Sequence, residues 1–188
     1  MTLLVVGGLM SCSNKDESRK EPQIEELRNK SIVILYENDV HGAIEGYPVL
    51  AGYRDAIMKA DTSWTGVVSN GDYLSGDASC TLKKGEYIVK MMSSVGYDAI
   101  TIGNHEFDWG GKRLMELLPK INTSVVCTNF FDCATGKQVL PSYTIKTYGD
   151  KKVAFVGVVT PDSEIDEAYS FFDSEGNKLY DLKAKEVS

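Results

Sequence analysis

Residues 99–108 read AITIGNHEFD, and this stretch decides how the chain folds. Ala99–Ile102 has the composition of a short buried strand, and Gly103 opens a polar cluster directly after it. In open α/β sheets, polar residues placed at the ends of buried strands line the ligand-binding edge. The stretch therefore predicts one strand of such a sheet, followed by functional side chains.

The same arrangement occurs twice upstream. Asn38 to Gly42 follows an apolar run at 32–36, and Gly71 to Gly76 follows another at 66–69. The clusters are 32 or 33 residues apart, counted from position 39 to 72 and from 72 to 104. Each interval is long enough for one helix and a return to the next parallel strand. The three clusters are therefore expected to meet at one edge of the sheet.

Apolar strand-like runs alternate with helix-like stretches along most of the chain, which predicts an α/β domain. The predicted strands are Ile32–Tyr36, Gly66–Ser69, Ala99–Ile102 and Ser124–Cys127. The predicted helices are Val49–Ala60, Glu86–Val95 and Gly111–Leu118, with Gly96 and Pro119 as stop signals. Ser142–Thr147 and Val153–Val159 predict a hairpin that ends in a central strand. Beyond Pro161 no element is predicted.

The composition excludes several classes of protein. The chain has 188 residues, of which 43% are apolar, enough to bury the core of one domain. Its formal net charge of -7 argues against a nucleic-acid-binding surface or a basic membrane patch. Because a phosphorylated substrate would be repelled at long range, positive charge at the site is expected from bound metal ions.

The N-terminus has the pattern of an exported lipoprotein. Residues 1–12 contain a short apolar run and end in Leu-Met-Ser-Cys, which resembles a bacterial lipobox with Cys12 as the lipidated residue. Residues 13–30 carry many charges of both signs and predict a solvated tether. We therefore expect the protein in the bacterial cell envelope, anchored to a membrane and facing the periplasm or the outside. The alternative is an apolar start with a chance cysteine. Since no basic residue precedes the apolar run, the true start is expected upstream of Met1.

The remaining cysteines do not predict a metal site. Cys80, Cys127 and Cys133 are odd in number and lack Cys-x-x-Cys spacing, which argues against structural zinc. Cys127 and Cys133 are candidates for a disulfide in an exported protein, and Cys127 is equally well explained as a buried thiol.

The three clusters contain the side chains of a metal centre. Two carboxylates, an imidazole and an amide form an oxygen and nitrogen ligand set, provided by Asp39, Asp72, His41 and Asn104. Such a set suits manganese, iron or zinc. Taken singly, either aspartate is equally explained as a helix cap or turn residue, and a lone histidine as a turn residue. Both histidines of the chain lie in these clusters, however, which favours the metal interpretation.

These motifs resemble a known family. Asp39-x-His41-Gly42, Gly71-Asp72 and the block Gly-Asn-His-Glu-Phe-Asp at 103–108 resemble the signature blocks of the calcineurin-like metallophosphoesterases. The last block, and the strand ending in Thr-Pro at 156–161, are similar to the 5'-nucleotidase branch. The resemblance extends from Ile32 to Pro161. It implies the layered α/β sandwich of that family, with a β-sheet core flanked by helices, incomplete at the C-terminus.

The resemblance implies two divalent metal ions. Asp39 and His41 would hold one ion, Asp72 would bridge both, and Asn104 would hold the second. Such ions polarise the phosphoryl oxygens and lower the pKa of a shared water, whose hydroxide attacks phosphorus. The implied reaction removes phosphate from a small phosphorylated molecule, a nucleotide.

The resemblance also assigns the catalytic pair. His105 is implied to be the catalytic histidine, which faces the phosphoryl group and stabilises the charge that develops there. Asp108, three residues further on, is implied to hold it in place. Glu106 is expected to point elsewhere.

Some ligands that the resemblance implies are missing. Enzymes of this family complete both metal shells with histidines downstream of the Thr-Pro strand, and no histidine follows His105 here. We therefore expect a truncated form with little activity. Residues 31–163 would be the N-terminal part of the metallophosphoesterase domain, and residues 164–188 the start of a missing remainder.

Three interpretations of function remain open at this point. They are a nucleotide phosphohydrolase, a cyclic-nucleotide or other phosphodiesterase of the same fold, and a surface lipoprotein that binds a partner without catalysis. The pairing of His105 with Asp108 argues against the third, because a binding module does not need it.

The lipobox predicts a covalent anchor. When the protein is expressed in a bacterium from a restored upstream start, we expect it to fractionate with membranes and to carry lipid on Cys12. A Cys12→Ser variant should carry none by mass spectrometry. Recovery of all wild-type protein without lipid in the soluble fraction would contradict the anchor.

Overall fold

A four-stranded parallel sheet forms the centre of the fold. The structure, a computed structural model, describes residues 5–8 and 30–183. The sheet contains β2 (Ser31–Glu37), β3 (Ser63–Ser69), β4 (Ala99–Ile100) and β5 (Ser124–Val125), in that order. All three pairings are parallel, as the sequence predicts. The carboxyl ends of β2, β3 and β4 therefore share one edge.

Helices connect these strands. They are α1 (Gly46–Ala60), α2 (Ala78–Thr81), α3 (Glu86–Val95) and α4 (Gly111–Leu117), with 3-10 turns at His105–Phe107 and Leu118–Lys120. The predicted stop at Gly96 is confirmed, since this residue ends α3 in the left-handed region at φ 79°. Pro119 lies in the 3-10 turn that follows α4.

A second sheet covers the face of the parallel sheet opposite the helices. The predicted hairpin is β7 (Tyr143–Tyr148) and β8 (Lys151–Val156), joined through Gly149 at φ 65°. The backbone of β1 (Val5–Gly8) pairs with the other side of β8, so β8 is the central strand of this sheet. Its Val153 and Phe155 pack on Val68 and Ala99 of the parallel sheet.

The large core lies on the helix side of the parallel sheet. Side chains alternate across each strand, so Val67 and Ile100 face the helices while their neighbours face the hairpin. Ile88 and Met92 of α3 are fully buried against this face. The three layers give the α/β sandwich that the sequence predicts.

The segment after Pro161 is ordered, although the sequence predicts no element there. It contains α5 (Ser163–Asp166), α6 (Ala168–Phe171) and β9 (Tyr180–Leu182), which pairs antiparallel with β6 (Phe130–Asp132). These elements have three or four residues each, too few to show a hydrophobic period. Phe171 and Phe130 pack on Phe107, with ring centroids 4.6 and 5.5 Å away.

Some predictions lie outside the described residues. Cys12 and nearly all of the tether at 13–30 belong to this part of the chain, so the lipid anchor and the domain boundaries stay predictions. Cys80 and Cys127 are buried free thiols and Cys133 is an exposed one, so no disulfide joins Cys127 to Cys133. Within the described ranges, no helix has the length and apolar character needed to cross a membrane.

Gly157 is expected to be intolerant of a side chain. It is buried after β8, where an added methyl group would collide with the carbonyl oxygen of Val126 and the hydroxyl of Thr101. We expect Gly157→Ala to lower the free energy of unfolding by about 1–3 kcal/mol, measured by urea denaturation. Gly52→Ala is the control, because this exposed glycine of α1 has open space around it and alanine favours a helix by about 1 kcal/mol. Equal stability of the two variants would contradict this packing.

Candidate active site

The three polar clusters meet at the carboxyl edge of the parallel sheet. Asp39 and His41 follow β2, and Asp72 follows β3. One potential ligand atom from each of these side chains lies within 4.8 Å of the others. The structure therefore brings together three of the four side chains that the sequence assigns to metal binding, at a spacing that a single cation can bridge.

These three residues share an uncommon backbone conformation. Asp39, His41 and Asp72 have φ of 54°, 47° and 59°, in the left-handed region that non-glycine residues seldom adopt. Each such residue costs on the order of 1 kcal/mol. Hydrogen bonds between the loops hold the conformation, since the His41 N–H donates to the Asp72 carbonyl at 2.9 Å and the His41 carbonyl accepts from the Asp77 N–H at 2.9 Å. Strain is thus concentrated at the candidate ligands.

The ring of His41 is oriented for ligation. Its Nδ1 lies 3.1 Å from the carbonyl oxygen of Ser75, which can only accept, so Nδ1 carries the proton. Nε2 then presents its lone pair, 3.7 Å from Oδ1 of Asp39. A backbone carbonyl that fixes the tautomer in this way is typical of a metal-binding histidine.

Asp72 lies at the centre of the site. Its Oδ1 accepts a hydrogen bond from the His105 N–H at 2.9 Å. Burial, together with the neighbouring Asp39 carboxyl, raises the pKa of Asp72 above its ordinary value, although the His105 N–H and imidazole oppose the shift. A buried carboxyl group, that of Asp72, and an exposed one, that of Asp39, lie this close, which favours a cation between them. The donor set therefore fits a divalent ion.

Asn104 is the fourth predicted ligand. It precedes His105, whose backbone contacts Asp72, so it stands at the same edge. Its side chain makes no hydrogen bond to any residue of the described ranges, which leaves the amide oxygen available.

The side chains of His105 and Asp108 are in contact, as the predicted pairing requires. Nδ1 of His105 lies 3.0 Å from Oδ2 and 3.2 Å from Oδ1 of Asp108. The hydroxyl of Ser75 donates to Oδ2 of Asp108, and the hydroxyl of Tyr169 donates to the Asp108 carbonyl at 2.7 Å. The His105 ring meets the His41 ring edge to face, with centroids 4.7 Å apart. His105 therefore borders the candidate metal site.

The electrostatic surroundings favour a charged His105. Burial lowers the pKa of the imidazole, but the hydrogen bond and charge of Asp108, with the charge of Asp72, outweigh it and raise the pKa above 6.5. A raised pKa shifts the imidazole toward its protonated form.

Glu106 is a site residue that sequence reasoning missed. Its carboxylate is fully buried and accepts four backbone N–H groups, two on each oxygen. The donors are Asp72 (2.8 Å), Tyr73 (2.8 Å), Leu74 (3.0 Å) and Gly103 (2.6 Å). Burial raises its pKa to about 7, while these donors act in the opposite direction. The Glu106 carboxylate points toward the backbone of residues 72–74 and away from the His105–Asp108 pair, as expected. Its hydrogen bonds fix the loop that carries Asp72.

Glu167 is a second residue that the sequence analysis missed. One oxygen of its carboxyl group lies within 4.8 Å of ligand atoms of His105 and Asp108. It precedes α6 in the acidic stretch after Pro161. The only signal in the sequence was this local excess of acidic residues, which is equally typical of a solvated surface.

The arrangement has the metallophosphoesterase fold. The chain superimposes on the sulfate thiohydrolase SoxB of Thermus thermophilus with a TM-score of 0.70 and 18% identity, over 84% of this chain and 40% of that one. It matches a 5'-nucleotidase precursor of the same species with a TM-score of 0.67 and 20% identity, over 81% and 32%. For the calcineurin-like phosphoesterase YfkN of Bacillus subtilis the TM-score is 0.58 at 20% identity, over 78% and 53%.

The chain is homologous to 5'-nucleotidases. It is 28% identical to the 5'-nucleotidase of Vibrio cholerae serotype O1 over 173 residues, 87% of this chain and 31% of that protein. It is 30% identical to snake venom 5'-nucleotidase of Gloydius brevicauda, over 71% and 26%. Endonuclease YhcR of Bacillus subtilis is 33% identical, over 68% and 13%. The chain thus spans about a third or less of the length of these relatives. No family profile matches the chain.

Asp108 is expected to set the pKa of His105. In Asp108→Asn the negative charge is lost, so the pKa of His105 should fall, measured by NMR titration of the metal-free chain in EDTA. The chain has two histidines, and a His41→Asn variant assigns their signals. Because the folded pKa of His105 is raised, its charge stabilises the wild type fully below pH 6.5 and this contribution is lost as pH rises through the folded pKa. An unchanged His105 pKa in Asp108→Asn would contradict this role.

Proposed function

We propose that this chain carries the catalytic core of a two-metal phosphoester hydrolase that removes phosphate from nucleotides. The observation that carries the proposal is the convergence of Asp39, His41 and Asp72 beside the His105–Asp108 pair. The fold and the homology to 5'-nucleotidases support it. A binding module without catalysis does not need the His105–Asp108 pair.

The metal centre is assigned to the strand-end residues. Asp39 and His41 would hold one ion, Asp72 would bridge two, and Asn104 would hold the second, with manganese, zinc or iron as the class of ion. When bound, the ions would neutralise phosphoryl oxygens and make a water molecule a better nucleophile. His41 contributes Nε2 because Ser75 keeps the proton on Nδ1.

His105 is assigned the proton-bearing role. Its Nδ1–H donates to Asp108, so in the charged ring the second proton is on Nε2. That proton is available to a phosphoryl or leaving-group oxygen, where it offsets the negative charge that develops during transfer. Asp108 is a positioning residue, which the hydroxyl groups of Ser75 and Tyr169 hold in turn.

Phosphodiester hydrolysis is a second candidate. The 33% identity to Endonuclease YhcR favours it. The acidic net charge of -7 argues against a long nucleic acid as substrate, since such a surface repels the phosphate backbone. Comparing hydrolysis of AMP with that of bis(p-nitrophenyl) phosphate at one metal concentration separates a monoesterase from a diesterase.

The proposal includes an exported location. We infer a lipoprotein, anchored through Cys12 and exposed to the periplasm or the outside, where it meets soluble nucleotides. The support is the lipobox-like sequence and the charged stretch that follows it.

Counting ligands predicts how much metal this chain binds. The first site has Asp39, His41 and Asp72, whereas the second has only Asn104 and the shared Asp72. We expect at most about one ion per chain, bound weakly, and nucleotide hydrolysis barely above background in excess manganese. Metal analysis after dialysis measures the first quantity and phosphate release the second. Two tightly bound ions with robust turnover would show that residues not assigned here complete the site.

Variants separate ligation from catalysis in the same assays. Asp72→Ala should remove the bound metal, whereas His105→Ala should retain it. In a form of the protein that turns over nucleotides, His105→Ala should lower the rate by about a hundredfold or more. Loss of metal from His105→Ala would assign His105 to the metal shell instead.

A further inference from the structure

A basic groove lies between the loop after α2 and the helix α4. It has a volume of about 500 Å³, and its lining includes Lys83, Lys84, Trp109, Lys112 and Arg113. We call this surface the basic groove. Its positive charge contrasts with a chain whose formal net charge is -7. A cluster of cationic side chains around a cavity of this size indicates a small anionic ligand.

Arg113 supports the groove instead of facing a ligand. Its guanidinium donates to the carbonyl oxygens of Lys83 at 2.9 Å and Lys84 at 3.2 Å, which holds the loop against α4. It also pairs with Glu116 at 3.0 Å and Glu86 at 3.3 Å. The ammonium group of Lys120 also lies 3.5 Å from Glu86, so two cations, Arg113 and Lys120, balance the two acidic groups of the lining. The hydrogen bond from Arg113 accordingly lowers the pKa of Glu86.

Three lysines of the groove have no ion-pair partner among the described residues. Lys83, Lys84 and Lys112 are exposed, and none of them pairs with a carboxylate among residues 30–183. Lys84 has φ of 46°, a conformation that the loop keeps although lysine rarely adopts it. The net positive charge of the groove therefore comes from these three side chains. Lys83 and Lys84 lie on the loop that Arg113 holds, and Lys112 lies on α4.

Trp109 connects the groove to the catalytic edge. It follows Asp108 directly, and its Nε1–H donates to the carbonyl oxygen of Leu74 at 2.8 Å, in the loop that carries Asp72. The same half-buried indole lines the groove. A ligand in the groove thus contacts a residue that adjoins both catalytic loops.

We propose that the basic groove binds a phosphate-bearing anion, at a site separate from the metal centre. Three lysines suit a compact, multiply charged anion, because each ammonium group can donate to a different oxygen. The choice of phosphate over other anions rests on the proposed function, since a nucleotide hydrolase meets oligophosphates. A soluble oligophosphate and an anionic lipid headgroup share this chemistry, and the experiment distinguishes the two.

The fluorescence of Trp109 provides the measurement. The chain has two tryptophans, and Nε1 of Trp64 has no hydrogen-bond partner in the described ranges. Trp64→Phe therefore leaves Trp109 as the only tryptophan without removing a hydrogen bond. In this background, with EDTA present, we expect sodium tripolyphosphate to change the emission in a saturable way. Replacing Lys83, Lys84 and Lys112 by glutamine should weaken binding by about tenfold or more, from roughly half a tenfold step for each exposed charge.

A matched variant controls for net charge. Glutamine at Lys59, Lys137 and Lys152, all exposed and outside the groove, removes the same charge and should leave the titration unchanged. Vesicles of phosphatidylglycerol and phosphatidylcholine, compared with phosphatidylcholine alone, test the lipid source. Lysine-dependent binding of tripolyphosphate assigns a soluble ligand, and lysine-dependent binding of anionic vesicles alone assigns a headgroup.

Two results would overturn the proposal. One is the lack of a response to either probe, and the other is an equal response in the groove variant and its control. Because EDTA removes divalent ions, the measurement does not depend on the metal centre. The hydrolase proposal and the groove proposal can therefore fail independently.

Discussion

One buried carboxylate organises the candidate active site of this protein. Glu106 accepts N–H groups from the loop after β3 and from Gly103 after β4, so a single side chain joins two of the three strand ends. A carboxylate is the only side chain that offers two acceptor oxygens and no donor, which four converging N–H groups require. In a glutamine the NH₂ group would replace one oxygen and face two of these N–H groups, donor against donor. Each N–H group left unpaired would cost about 1–3 kcal/mol.

The geometry of the site depends on this arrangement. The loop fixed by Glu106 carries Asp72, whose carbonyl accepts from His41 and whose side chain accepts from His105. Asp72 therefore connects the proposed ligand His41 to the proposed catalytic residue His105. The left-handed conformations of Asp39, His41 and Asp72 persist because these bonds compensate their strain. The three side chains are thus held close before any ion binds, which reduces the cost of ordering them on binding.

Much of the fold was predictable because it depends on local patterns. Each element is indicated by a signal within a few residues, such as a short run of valine and isoleucine, a glycine stop signal or the hairpin turn. The parallel sheet and the convergence of the three clusters follow from the order of these elements. The role of Glu106 was not predictable, because its partners at 72–74 lie more than thirty residues away in sequence. The same holds for Glu167, which lies close to His105 and Asp108 and belongs to the segment whose Phe171 packs on Phe107. Helices of four residues have no period to detect.

The central claim is that Glu106 prepares a cation site made of Asp39, His41 and Asp72. Titration of manganese into the metal-free chain, followed by electron paramagnetic resonance, tests it in the wild type, in Glu106→Gln and in a control. Glu175→Gln is that control, because its side chain is exposed and makes no hydrogen bond within the described ranges. We expect Glu106→Gln to lose about tenfold or more in manganese affinity, as when residues that orient metal ligands are removed, while the control matches the wild type. A folded Glu106→Gln variant, verified by circular dichroism, with wild-type affinity would contradict the account.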